Sequence, residues 1–160
     1  MAVLLRKLLR IGKLPDEMRV DLEAEGILHV AEYVPVTRRF SGAIPGKRSS
    51  NSISSYAGSL VLTNERVLGT LSTMPKLAGR TIDQRWRDPQ SGAVKAELSR
   101  GGLLLEAELA DIDPRCEGHL SLQYRHDIPE DVLTRVPLRS LAFDVPAEWV
   151  FRAVGVAYHP

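Results

Sequence analysis

The hydrophobic period of the chain switches from helical to alternating and back. Residues 3–11 set Leu4, Leu8 and Ile11 on one helical face, with Leu5 and Leu9 beside them. Arg6, Arg10 and Lys13 lie roughly opposite, which predicts a short amphipathic helix. Pro15, Asp16 and Glu17 open a second helix, and Gly26 is expected to close it. From there alternate positions take over. In 27–40, Leu28, Val30, Val34 and Val36 share one face with only Glu32 out of place, so a long strand is expected, bent or held at an edge by Pro35. The stretch SGAIPGKRSSNSISS, 41–55, is rich in Gly, Ser and Pro and reads as a long flexible loop.

More strands follow. Residues 57–63 and 66–72 form a hairpin, and 80–87 place Ile82 and Trp86 on one side. Inward sets then recur: Val94, Ala96 and Leu98; Leu103, Leu105, Ala107 and Leu109; Leu120, Leu122 and Tyr124. The breaks between them, 88–92, 100–102 and 113–114, have turn chemistry. These make seven strands in a meander. Helical spacing returns at 128–136, Leu141, Phe143 and Val145 suggest one more strand, and Trp149, Val150, Ala153, Val154 and Ala157 form a final apolar stripe behind Pro146. Residues 129–136 are preferred as the barrel cap by position, although 147–157 has the better stripe.

Composition narrows the picture. The chain has 160 residues, 44% hydrophobic and 26% charged, the profile of one globular domain that can bury a core. Its organisation is expected to be an N-terminal helix at 1–14, a β domain at 15–137 and a strand–helix extension at 138–160 packed on it. No run of about 18 apolar residues suggests a membrane span. The single cysteine, Cys116, has no disulfide partner, so a reducing, cytoplasmic setting is expected. Net charge is only +1, yet residues 1–100 hold 16 Lys and Arg against 10 Asp and Glu, and residues 101–160 hold 5 against 10. Such asymmetry is compatible with a basic binding face.

Catalytic and metal chemistry finds little support in the sequence. His29, His119, His126 and His159 are scattered, and His126 beside Asp127 would point to opposite faces of a strand. Asp111 and Asp113 share a face without a calcium-loop spacing. No enzyme activity, cofactor or metal is expected. Nucleic-acid binding is not expected either, because aromatics are 6% of the chain and the net charge is nearly neutral.

Gly58, Leu60, Leu62, Thr63, Asn64, Arg66, Val67 and Leu68 resemble the G-x-L-x-L-T-N-x-R-(V/L)-(V/L) hairpin of the GRAM and bacterial PH-like families. EGILHVAEYV, 25–34, is similar to their first strand. The resemblance implies a mainly β (α+β) PH-like domain: a seven-stranded, bent antiparallel sheet or barrel closed by a C-terminal helix, in a bacterial, non-enzymatic interaction module. In such domains the first loop often receives anionic head groups, which here singles out Arg38, Arg39, Lys47 and Arg48. The N-terminal helix, through Leu4, Arg6, Leu8, Arg10, Ile11 and Lys13, is the candidate membrane contact, peripheral at the inner membrane face. The implied partner is anionic lipid or a protein. The alternatives are a protein–protein or homo-oligomer module without lipid binding, and a lipocalin-like barrel carrying a small apolar ligand.

Overall fold

The computed structural model of the protein describes residues 13–74 and 77–160. Helix α1 (Asp16–Ala24) leads into eight strands. They are β1 (Ile27–Ile44), β2 (Lys47–Thr63), β3 (Arg66–Met74), β4 (Leu77–Arg85), β5 (Val94–Ser99), β6 (Gly102–Glu108), β7 (Glu117–Arg125) and β8 (Ser140–Phe143). A 3-10 turn covers Leu109–Asp111, the single-turn helix α2 is Glu130–Leu133, and α3 is Ala147–Val154. All strand pairs are antiparallel, in the order β4-β3-β2-β1-β7-β6-β5-β8.

The count of eight and that order correct the expected seven-stranded meander. β1 lies between β2 and β7, strands far apart in sequence, because it is long enough to serve two halves of the sheet. Its Val36–Ala43 stretch pairs with both, while Ile27–Pro35 pairs with β2 alone among the described residues. The bend is built from one-residue register slips at Leu28 and at Glu32–Tyr33, where Tyr33 adopts a φ of 57°. The slip reassigns a face: Val30, expected inward, is exposed, and Ala31 is buried in its stead.

The expected loop 41–55 is instead most of a hairpin. β1 runs to Ile44, Pro45 and Gly46 turn the chain, and β2 starts at Lys47. Gly46, at φ 94°, makes the reversal without a Cβ penalty. The Ser-rich strand that follows has little apolar pattern, so pairing with β1 rather than burial defines it, and period alone could not reveal it.

The core sets of β5, β6 and β7 are buried as their alternation predicts, from Val94 and Leu98 to Leu122 and Tyr124. In β2, residues 57–63 are buried on both faces. One face enters the main core through Leu60 and Leu62. The other meets α1, where Val61 and Leu68 pack with Leu14 and Leu22. Gly58 of the hairpin motif permits a close approach, since a Cβ there would lie 2.0 Å from the Thr70 carbonyl oxygen. The terminal strands β4 and β8 are not paired to each other among the described residues. Helix α3 spans that gap: it follows β8, packs on β4 and β1, and buries Val150, Phe151, Ala153 and Val154. The cap is therefore 147–154, the segment with the stronger stripe, and not 129–136 as position suggested, where only the single turn 130–133 forms.

Candidate functional site

The predicted cations divide into two inward and two outward. β1 alternates, so Arg38 falls on the face that carries Val34, Val36 and Phe40, and all four are buried. At 1% exposure Arg38 has no access to a ligand at the surface. Its Nη1 donates to the carbonyls of Ala153 and Val154 at 3.3 and 3.0 Å, the last residues of α3, and to the Tyr56 hydroxyl at 3.3 Å. Its Nη2 donates to the hydroxyls of Ser52 and Ser54 at 2.9 and 2.8 Å. The guanidinium thus caps the negative end of the α3 dipole, which offsets the burial of a charge that has no carboxylate beside it in this network. It also ties alternate residues of β2 to one another. Lys47 joins the same cap, its Nζ 3.2 Å from the Val154 carbonyl.

Arg39 points the other way and is exposed. Its register partners are Ile53 on β2, itself 53% exposed, and Ser121 on β7. Arg48 is 79% exposed and lies 3.6 Å from Glu117, an ion pair contributing about 0–1 kcal/mol. Arg39, Ile53 and Arg48 therefore lie on the outward side of the β1–β2 hairpin. Of the proposed membrane helix, Leu4, Arg6, Leu8, Arg10 and Ile11 lie outside the described residues. Lys13 is half-buried, with Nζ 4.0 Å from Asp16.

Side-chain clusters missed by the sequence reading join residues remote along the chain. The hairpin Thr63–Arg66 is one hub. Thr63 Oγ1 accepts from the backbone N–H groups of Glu65 and Arg66, both at 3.0 Å, and donates to Glu25 at 2.9 Å. Arg66 holds Glu25 and Asp83 at 2.7 and 3.0 Å. Although burial opposes its charge, those two carboxylates raise its proton affinity further. The Trp86 indole N–H donates to the Thr63 carbonyl at 2.9 Å. The motif's Thr and Arg thus clamp α1, β3 and β4 together.

His126 does not pair with Asp127 but with His29, Nε2 to Nε2 at 2.8 Å. Burial and His126 lower the proton affinity of His29, and Asp131 partly counters them. Asp113, considered with Asp111 for calcium, instead takes Arg115 at 2.8 Å, and that guanidinium holds its carboxyl below the ordinary range. Cys116 is buried, and burial raises its thiol pKa, so it is poorly nucleophilic.

The barrel interior holds an apolar slot of about 40 Å³ between α3 and β5–β7, lined by residues including Leu105, Leu120, Trp149 and Val150. That is room for a few waters at most. Among the described residues no group of three or more His, Cys, Asp or Glu side chains is placed to hold a metal ion, and no helix is long and apolar enough to cross a membrane. Compared with known proteins, the chain matches no family model, no curated protein and no solved structure.

Proposed function

We propose that the protein is a non-enzymatic, PH-like interaction module that engages a protein partner through the outward side of its β1–β2 hairpin. The observation that carries the reading is the pairing of an exposed apolar residue, Ile53, with two outward arginines, Arg39 and Arg48, where β1 is paired with both β2 and β7. Arg beside apolar surface is a composition enriched at interfaces. The PH-like part rests on the hairpin motif and on the bent sheet with its helix across the gap. The small interior slot favours a filled barrel over a ligand-carrying one, since ligand pockets run to roughly 300–1,000 Å³.

A second reading, an anionic membrane surface as partner, draws on the same two arginines. With Arg38 and Lys47 turned to α3, two cations beside an acid supply only about 1 kcal/mol each. Sedimentation with anionic and neutral vesicles separates the readings. The protein-partner reading expects negligible binding to both. A photo-crosslinking residue at position 53 should then give one defined protein adduct in the native host, lost on Arg39→Glu. Binding to anionic vesicles that Arg39→Gln with Arg48→Gln abolishes would replace the protein by a membrane. A small apolar molecule retained in native mass spectra would overturn both.

A further inference from the structure

The two halves of the sheet part at the Ile27–Pro35 stretch of β1. β7 accompanies β1 as far as Val36, opposite Tyr124, and ends at Arg125. The next residue, His126, reaches across the seam to His29 on the unaccompanied stretch. Their Nε2 atoms are 2.8 Å apart and their ring centroids 5.0 Å, with the planes tilted by 38°. Beyond His126 the linker buries Ile128 completely and enters α2, whose Val132 and Leu133 sit in the core. The imidazole pair is therefore a side-chain tie between β1 and the linker that positions α2.

We propose that this pair is a proton-sensitive latch, which holds the β7–α2 linker against β1 at neutral pH and releases it in mild acid. With both rings neutral, one donates Nε2–H and the other accepts on its Nε2 lone pair. A first added proton goes to Nδ1 of the donor ring and leaves the bond in place, now charge-assisted. A second must sit on the accepting Nε2. Two N–H groups then face each other with like charges 2.8 Å apart, and the bond is lost. The titration belongs to the pair rather than to either ring.

The charged groups bearing on His29 are His126 from the linker and Asp131 from α2. β2 contributes none in register, its partner there being Leu62. Arg125 and Asp127, beside His126, are exposed. Because the latched state disfavours the proton on His29, the opened state binds more protons. The first proton leaves the latch closed, and its stability falls with the second, as pH drops below the ordinary histidine value of about 6.5.

Amide hydrogen exchange of the full chain at about pH 7.5 and about pH 5, corrected for intrinsic rates, tests the latch across the histidine range. The opening constant for residues 126–133 should rise at least about tenfold in acid, which is a free-energy change of about 1.4 kcal/mol, while β5 and β6 stay unchanged. His126→Gln and His29→Gln keep polar side chains without the titration and should each abolish the acid response. Asp131→Asn, which removes the compensating carboxylate, should enlarge it. A uniform acid response across the sheet, or one that persists in the Gln variants, overturns the proposal. Ring titrations by NMR give a check on the unmutated protein: two steps more than about one pH unit apart are expected. Two independent titrations near the ordinary value would sink it.

Discussion

Adjacent arginines with one sequence signature do opposite work here. Arg38 donates to the last turn of α3 and to three β2 hydroxyls, whereas Arg39 faces water. Replacing Arg38 by Met keeps the volume but takes its donor from the Ala153 carbonyl, leaves the Val154 carbonyl to Lys47 and strips three β2 hydroxyls of a partner. A loss on the order of 3 kcal/mol is expected in urea unfolding. Arg39→Gln should stay within about 0.5 kcal/mol, because nothing buried depends on it. Equal effects of the two substitutions would refute the helix-cap role. The distinction was legible in the sequence. Counting alternate positions from Val34 and Val36 puts Arg38 beside Phe40 on the core face. A cationic side chain on a buried face needs acceptors, and α3 supplies them from 115 residues away. Charge counting along the loop hid what strand parity disclosed.

Among the elements, the Thr63–Arg66 hairpin shows how far a local motif can be read. Asn64 and Thr63 announce a tight turn, and Thr63 does bond the backbone of Glu65 and Arg66. The sequence could not show that Arg66 closes on Glu25 and Asp83, since nothing in the local pattern says which acids arrive from α1 and β4. Thr63→Val removes the oxygen that serves both turn amides and should destabilise the protein by about 1–2 kcal/mol. A double-mutant cycle of Glu25→Gln with Arg66→Gln should give a coupling of about 1–3 kcal/mol, well above that of an exposed pair such as Arg48 with Glu117. A coupling indistinguishable from zero would mean that α1 is held by the packing of Leu14 and Leu22 and by Arg19 on Glu32 rather than by Arg66. The Ser-rich arm of β2 is the opposite case. Its strand character comes from the neighbour it pairs with, so composition pointed to a loop.

For the whole molecule, the hidden quantity is the pairing of β1 with β7, residues 36–43 with 117–124, which no local pattern encodes. It turns a supposed meander into a bent, nearly closed sheet, and among the described residues neither the Ile27–Pro35 stretch of β1 nor the Lys47–Tyr56 stretch of β2 pairs with a third strand. Each of these two stretches carries a device against self-pairing. The Ile27–Pro35 edge has Tyr33 at positive φ and a proline. In β2, Ser50 and Asn51 together face Ser41, a bulge that interrupts the Lys47–Tyr56 edge, and Lys47 and Arg48 end it. Bulges and cations are means by which edge strands avoid pairing with other copies. The chain should accordingly run as a single 17.7 kDa species in light scattering at every concentration where it stays soluble. Deleting Asn51 removes the bulge and flattens the edge while leaving Ser52, Ser54 and Tyr56 in place to bond Arg38. That variant should keep its β-rich circular dichroism and shift toward dimers as concentration rises. A deletion variant that stays monomeric, or a parent chain that dimerises, would show that the bulge is not what guards this edge.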